Sequence, residues 1–531
     1  MATPDGTHNG LEVPEVTDNT GAPPPPPTEN EKPIHTAVTT DAHDVPSETG
    51  ELLSEEARPI DPVAAKRVLR KIDRFLLPIL VVGYGLTYWD KAILGSAALF
   101  DMTTDLELAV INPVTGAKDT SRLSWATSLF YFGQLAGSFP MSYLVQHLPT
   151  RYVLGPGIML WAIVCAATAG VTTYQGLYVQ RFFLGFFESI IPTSFLLIVG
   201  SFYTQSEQTL RQSWWWTASG WFILIGGGLN YGFAQIKTGG LHSWQYIYIF
   251  AGALTFLFGI VGFFIPSSPV DAWILTPAER VIAVERLRAG QTGVRNPEIK
   301  PSQIWEAVTD IKVWLIALIM ASGYTVNGAV TGFGPLIVST FGFSTLDSIL
   351  LQFPLGIISA CAMLFSGWIG SRVKNIRLII VMLACLPTMA AFIIIWKSHW
   401  SNHAAAPVVG YSLMGFFSPV VSMSLVLAST NVAGGTKKSF MSGVLFVAYC
   451  VGNIVGPQMI RSQTVKQHYP ALWGGLLGCY SITILSAATL YFVLYRENKK
   501  RDAIDMDEAE RSKLSFKDLT DKQNKYFRYA L

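Results

Sequence analysis

Long apolar stretches separated by short polar segments dominate the chain from about residue 75 to residue 494. A helix needs about 20 mostly apolar residues to cross the hydrocarbon core of a bilayer. Twelve stretches meet this requirement, so the pattern predicts twelve membrane-spanning helices, called spans 1 to 12. Their predicted limits are 75–99, 123–146, 152–171, 176–201, 213–235, 246–266, 313–339, 347–370, 376–396, 406–430, 440–460 and 472–494.

The polar segments divide the chain into five predicted regions. A polar tail with a run of five prolines, which disfavours a packed core, precedes the spans, and we expect it to be disordered. Two six-helix bundles follow, joined by a polar linker in which Thr276 to Gly290 has the pattern of an amphipathic helix. The predicted limits are 1–65 for the first tail, 66–266 for the first bundle, 267–312 for the linker, 313–495 for the second bundle and 496–531 for a second tail.

A weak internal repeat relates the two bundles. Small residues run into a short basic turn after span 2, at 142–152, and again after span 8, at 366–377. Related six-span halves are the usual construction of secondary transporters. The predicted fold class is therefore an all-α membrane protein of twelve transmembrane helices in two pseudo-symmetric bundles.

Basic residues predict the orientation of the chain. If the N-terminus lies in the cytoplasm, 30 Lys and Arg residues fall on the cytoplasmic side and six on the other side. Positive charge in the loops favours the cytoplasmic side of a membrane. Because the number of spans is even, both termini are predicted to lie in the cytoplasm.

Composition narrows the possible functions. Charged residues make up 14% of the chain, against about 25% in soluble domains, and the net charge of +2 gives no indication of nucleic-acid binding. The five cysteines all lie in apolar stretches, and neither they nor the histidines have metal-ligand spacing. We therefore expect a membrane protein that has no metal site and no cofactor and is not an enzyme. We also expect it to be a monomer.

Four formal charges lie at mid-span depth: Asp90 and Lys91 in span 1, and Arg181 and Glu188 in span 4. Each charge at a bilayer centre costs roughly 2.5–3.5 kcal/mol on insertion scales, whereas opposite charges that pair offset one another. These four sum to zero, and Arg181 and Glu188 are seven residues apart, so they share one helix face. Ionisable residues inside spans are functional-site candidates, although a buried network that only fixes helix register would have the same composition.

Other polar residues inside the spans have two interpretations. Tyr88, close to Asp90, either lines a cavity or packs on lipid and neighbouring helices. Asn327 in span 7 and Asn453 in span 11 either contact a substrate or hydrogen-bond two helices together. Two pairs of glycines four residues apart predict close helix packing. They are Gly133 with Gly137 in span 2 and Gly452 with Gly456 in span 11.

Several motifs resemble one known family. The YWDKAIL sequence of span 1 and the RFFLGFFES sequence of span 4, within the twelve-span plan, resemble the anion:cation symporter branch of the major facilitator superfamily. LASTNVAGGTKKSF, at Leu427 to Phe440, and VGNIVGPQ, at Val451 to Gln458, are similar to the fungal allantoate permease family. The resemblance implies import of a small organic anion, such as allantoate, nicotinate or pantothenate, together with protons across the plasma membrane.

The resemblance also implies roles for individual residues. Asp90 and Glu188 match the carboxylates that couple transport to protons, Lys91 matches the neighbouring base, and Arg181 matches the arginine that meets the substrate carboxylate. Export of a secondary metabolite is the main alternative, because the fold works in either direction. A sensor that does not transport is a further alternative, although the sequence has no long signalling tail.

Overall fold

The computed structural model describes residues 61–111, 118–236, 239–289, 300–400, 404–503 and 519–531. Twelve helical segments, one for each predicted span, cross the molecule in these ranges. Most of the predicted N-terminal tail, residues 1–60, lies outside the described residues. The first six spans comprise Pro62–Ala97, Ser121–His147, Thr150–Ala167, Tyr174–Glu188 with Ile190–Phe202, Gln205–Trp216 with Ala218–Ala234, and Ser243–Gly262. The last six comprise Ile311–Gly323 with Thr325–Ser339, Thr345–Leu350 with Phe353–Arg372, Arg377–Lys397, Ala405–Leu413 with Ser418–Asn431, Gly435–Gln458, and Pro470–Asp502.

The remaining elements are short and lie outside the spans or at their breaks. A four-residue helix and a two-stranded antiparallel hairpin connect spans 1 and 2, and two helices occupy the linker between spans 6 and 7. A linker helix is present where the sequence predicts one, beginning at Pro277. These elements are Met102–Asp105, Val110–Ile111 paired with Lys118–Asp119, Pro277–Ala289, Pro301–Val308, and the 3-10 turns Thr168–Gly170, Met414–Phe417 and Ser462–Gln467.

Length and hydropathy alone identify nine of the twelve spans among the described residues as able to cross a membrane. Spans 1, 2 and 5 fall outside this set. Span 1 contains Asp90 and Lys91, span 2 is interrupted by polar side chains such as Gln134, and span 5 contains three consecutive glycines and Asn230. These three spans all contact the opposite half of the molecule.

The outer surface of the spans is apolar. Phe139 of span 2, Leu257 of span 6 and Leu485 of span 12 are 87%, 60% and 67% exposed, an arrangement expected when lipid covers the helices. Between the helices, small residues allow close approach: a Cβ placed on Gly133 would lie 1.9 Å from the carbonyl oxygen of Phe182 in span 4. The predicted packing of span 2 through this glycine is therefore present.

The two halves meet mainly along three pairs of spans among the described residues: 1 with 7, 2 with 11, and 5 with 8. We call the face that carries residues 61 and 531 the terminal face, and the other side the opposite face. On the opposite face, the hydroxyls of Thr120 and Ser462 are hydrogen-bonded across the halves. Ser128 of span 2 also accepts from Gln458 and donates to the carbonyl of Ile454, at 3.0 and 3.1 Å. The halves are therefore joined on this face.

Several spans are broken near mid-depth. Span 4 is interrupted at Ser189, span 7 at Tyr324, and span 10 at the 3-10 turn Met414–Phe417. Hydroxyls near the break in span 7 bond back to their own helix, Ser322 to Leu318 and Thr325 to Ser322, which offers the backbone an alternative to regular helix bonding. In span 4 the break follows Glu188 directly, so the charged residue lies at the end of a helical segment.

The described C-terminal residues, which belong to the predicted second tail, pack against the second half. Span 12 continues to Asp502, past the predicted boundary at residue 495, and residues 519–531 lie along the terminal face. Asp521 is fully buried and pairs with Lys437 of span 11 at 2.7 Å and with Lys312 of span 7. At the end of the segment, the amide of Ala530 donates to Asn431 of span 10 at 2.7 Å.

Two lysines control the charge of Asp521. Burial by itself would raise the pKa of this carboxyl, but Lys312 and Lys437 outweigh burial and hold the pKa below its usual value. Lys437 also pairs with Glu306 and Asp310, each at 2.8 Å, so its ammonium occupies the centre of the acidic group formed by these residues and Asp521. Among the described residues this is the one acidic cluster with metal-ligand spacing, and a lysine already fills it.

Candidate functional site

Lys91 and Glu188 form a buried ion pair between spans 1 and 4. The ammonium lies 2.8 Å from Oε1 of the carboxylate, and the two side chains are 8% and 1% exposed. Lys91 also lies over the ring of Phe130, with its Nζ 5.3 Å from the centroid. The second carboxylate oxygen, Oε2, has no hydrogen-bond partner among the described residues. Lys91 is therefore the main group that stabilises a charge on Glu188.

Asp90 points away from Lys91, into the interior of the first half. Successive residues of a helix are rotated by about 100°, so neighbours in sequence face different directions. The indole nitrogen of Trp161 donates to Oδ2 of Asp90 at 2.8 Å, and the thiol of Cys165 donates to Oδ1 at 3.3 Å. Both partners belong to span 3. Asp90 is 2% exposed, so these bonds replace its contact with water.

Arg181 lies in the same cluster but bonds to another neighbour. Its guanidinium donates to the hydroxyl of Tyr248 in span 6, and its Nε has no hydrogen-bond partner among the described residues. Within the described chain, no ion pair closer than 4.0 Å joins Arg181 to Asp90 or Glu188. The structure thus joins Lys91 to Glu188 directly and provides Asp90 and Arg181 with neutral hydrogen-bond partners.

Two cavities lie beside this cluster, at the contact between spans 1 and 7. The smaller one is lined by Lys91 and Arg181 together with Thr127, Tyr131 and Thr331. The larger one is lined mainly by apolar and aromatic side chains. It includes Tyr88, Trp89, Phe222, Pro335 and Leu355. Tyr88 therefore faces a cavity between the halves, the first of its two predicted environments.

Asn327 and Asn453 contact each other. The amide of Asn327 donates to Oδ1 of Asn453 at 2.8 Å, and Asn453 in turn donates to the backbone carbonyl of Tyr449 at 2.8 Å. Both residues are buried, at 3% and 0% exposure, and neither lines the two cavities. This geometry is that of a hydrogen bond between spans 7 and 11. Substrate contact by these asparagines stays a prediction.

Sequence reasoning missed four residues of the cluster: Trp161 and Cys165 beside Asp90, Tyr248 beside Arg181, and Tyr131 at the smaller cavity. Each is an aromatic or sulfur side chain in an apolar stretch, where packing explains its presence equally well. A usable signal is the polar tip: a Trp or Tyr buried in lipid-spanning helices needs a hydrogen-bond partner.

Twelve crossing helices, an apolar exterior, and a charge cluster in the first half that borders a cavity between the halves are the features of a membrane transporter built from two bundles. The sequence profile of the Major Facilitator Superfamily matches residues 80–457. The chain belongs to this superfamily and, within it, to the group of fungal transporters that includes the allantoate permease.

Two relatives in Saccharomyces cerevisiae align over most of the chain. The thiamine pathway transporter THI73 is 32% identical over 465 residues, which cover 87% of this chain and 86% of the relative. The allantoate permease is 29% identical over 497 residues, covering 90% of this chain and 89% of the relative. A solved structure of a proton:xylose symporter has the same fold, with a TM-score of 0.59, 13% identity, and coverage of 81% of this chain and 96% of the symporter.

Proposed function

We propose that the protein carries a small organic anion into the cell together with protons, by alternating exposure of a site between its halves. The observation that carries the proposal is the buried Lys91–Glu188 ion pair, which lies beside Arg181 at a cavity between the halves. A transported anion and a proton acceptor compete for the same cation in this arrangement. The allantoate permease, a relative by sequence, supports a carboxylate as the substrate class.

The coupling is an exchange of charge around Lys91. With Glu188 ionised, the ion pair is complete and the four charges of the cluster sum to zero. Protonation of Glu188 releases Lys91, and a substrate carboxylate then pairs with Lys91 and Arg181. Arginine suits this task because its planar fork donates two parallel hydrogen bonds to a carboxylate. By linkage, proton binding raises anion affinity, and anion binding raises proton affinity by the same factor.

Asp90 has a second role in the proposal. It lies next in sequence to Lys91, yet it bonds to Trp161 and Cys165 of span 3. Its negative charge offsets that of Arg181 when no substrate is bound. A proton on Asp90 would leave Arg181 with an uncompensated charge and strengthen its attraction for an anion.

We also propose that both termini lie in the cytoplasm of a monomeric carrier in the plasma membrane. The distribution of Lys and Arg supports this orientation. The terminal face is then cytoplasmic, and the joined opposite face is extracellular. An anion moving inward works against the membrane potential, at about 2.3 kcal/mol per charge per 100 mV, so import needs co-transported cations.

The test is uptake by the full-length protein in proteoliposomes. Radiolabelled allantoate, nicotinate and pantothenate are supplied outside, with an imposed gradient that is acidic outside or with equal pH on both sides. We expect accumulation of at least one of these anions only with the gradient. Glu188→Gln should lose gradient-driven accumulation and keep exchange of the anion across the membrane.

Two results would contradict the proposal. Accumulation by Glu188→Gln equal to that of the wild type would remove the charge exchange at Lys91. Transport of the substrate only out of the liposomes, while the proton gradient is directed inward, would support the alternative that the protein is an exporter.

A further inference from the structure

The smaller cavity contains more hydrogen-bonding capacity than the protein itself uses. Tyr131 of span 2 is 1% exposed, and its hydroxyl has no hydrogen-bond partner among the described residues. Arg181, also 1% exposed, lines the same cavity with its Nε unpartnered. Buried polar groups nearly always have partners, so two such groups at one cavity call for an explanation.

Both unpartnered groups are hydrogen-bond donors beside a positive charge. The Arg181 Nε and the Tyr131 hydroxyl each carry a proton, and Lys91 lies at the same cavity. The two threonines there, Thr127 and Thr331, donate within their own helices to Leu123 and Asn327, at 3.0 and 2.6 Å. The donors left over are therefore Tyr131 and Arg181, and they match an occupant that accepts hydrogen bonds and bears negative charge.

Thr331 belongs to span 7 and closes the cavity from the second half, whereas Lys91, Tyr131 and Arg181 all belong to the first half. An anion bound here touches both halves. Its binding would therefore hold the two halves together at the cavity more tightly than they are held in the empty protein.

We propose that the Tyr131 hydroxyl is a direct ligand of the transported anion and, with Lys91 and Arg181, completes a three-donor site for one carboxylate group. This inference rests on the proposed function. Lys91 and Arg181 are cations that donate and cannot accept hydrogen bonds, so the site favours a carboxylate over the corresponding neutral amide, and the Tyr131 hydroxyl donates a further hydrogen bond to that carboxylate.

The experiment measures ligand-induced thermal stabilisation of the full-length protein in nanodiscs. The probes are nicotinate and pantothenate, each paired with its neutral counterpart, nicotinamide and pantothenol, together with allantoate. The variants are Tyr131→Phe and, as a matched control, Tyr203→Phe. Tyr203 is equally buried but lies at the terminal end of span 4, beneath Arg211.

We expect at least one carboxylate, and neither neutral compound, to stabilise the wild type and Tyr203→Phe. Tyr131→Phe should weaken the apparent affinity for that carboxylate about tenfold, the effect of one lost hydrogen bond to a charged group. Its melting temperature without ligand should stay at or above that of the wild type, because the lost hydroxyl has no partner. A hydroxyl that stabilised the fold through a hydrogen bond would instead lower this temperature when it is removed.

Equal stabilisation of the wild type and Tyr131→Phe by the same carboxylate would overturn the role of Tyr131 and leave the proposed function standing, with the hydroxyl assigned to water. Stabilisation of the wild type by none of the carboxylates would contradict both proposals. Stabilisation of the wild type by a carboxylate and its neutral counterpart alike would overturn the selection for a negatively charged carboxylate.

Discussion

At the scale of the residue, the four charges of the buried cluster contact different neighbours. Asp90, Lys91, Arg181 and Glu188 stand out because charge is rare inside spans. Their partners follow from helix rotation and from the neighbouring spans, which sequence alone does not specify. Asp90 and Lys91 are adjacent in the chain, yet one bonds to span 3 and the other to span 4.

The ion pair gives a residue-scale prediction. Lys91→Met leaves the Glu188 carboxylate buried without its cation, so we expect the free energy of unfolding to fall by about 3–5 kcal/mol. The double variant Lys91→Met/Glu188→Leu removes both charges and should regain most of this loss, while transport stays absent. Thermal melting in detergent measures the first effect and uptake the second. If Lys91→Met were as stable as the wild type, this would show that Glu188 is already protonated in that variant.

At the scale of the element, the existence and approximate limits of all twelve spans were predictable from hydropathy, as was close packing at the glycines. The breaks at Ser189 and Tyr324 were not, because they arise from local hydroxyl bonding and from packing between spans. The docking of residues 519–531 was not predictable either. In the sequence, a short charged segment cannot be distinguished from an undocked tail, because its ionic partners, Lys312 and Lys437, lie in other spans.

Helix packing in the first half gives a prediction about glycine. A Cβ on Gly185 of span 4 would lie 1.9 Å from the carbonyl oxygen of Phe130 in span 2, so Gly185→Ala has to force these helices apart. We expect a loss of about 1–3 kcal/mol in the free energy of unfolding. Gly200→Ala, also in span 4, has open space at the same position and should have little effect. Equal melting temperatures for the two variants would contradict the predicted packing.

The docked C-terminal segment gives a prediction with a pH dependence. Asp521→Asn removes the carboxylate that pairs with Lys312 and Lys437, and we expect a markedly lower melting temperature at pH 7. The control is Asp502→Asn, which breaks only a partly exposed pair with Arg528 and should cost less than about 1 kcal/mol.

The sign of the pH effect follows from the lowered pKa of Asp521. Its ionic contribution is complete above the ordinary carboxyl pKa of about 4 and is lost as the pH falls through the lower value of the folded protein. The difference in melting temperature between the wild type and Asp521→Asn should therefore stay constant from pH 7 to pH 5 and shrink only below about pH 4. A difference that disappears between pH 7 and pH 5 would contradict this explanation.

At the scale of the whole molecule, counting the spans and basic residues predicted two bundles and an orientation. The side of the membrane toward which the site is closed could not be predicted, because it depends on the face at which the two halves are joined. The polar contacts of Thr120, Ser128, Gln458 and Ser462 join the opposite face. Such contacts pair side chains from distant parts of the chain and leave no pattern in the sequence.

Alternating exposure requires the opposite face to separate. A disulfide between Thr120→Cys and Ser462→Cys, whose parent hydroxyls are hydrogen-bonded, should hold it shut. We expect oxidation to abolish uptake by the double variant and dithiothreitol to restore it. Each single variant should transport normally under both conditions. Uptake by the fully oxidised double variant would mean that the halves do not separate at this face.

The docked residues 519–531 bond to spans 7, 9, 10, 11 and 12, and all five spans belong to the second half. This segment therefore travels with that half whenever the two halves rock. Lys522 on the segment and Lys66 at the start of span 1 both have exposed side chains and lie outside the cavities. Fluorophores at these positions would report each transport cycle as a change in energy transfer, without a label inside the transport path.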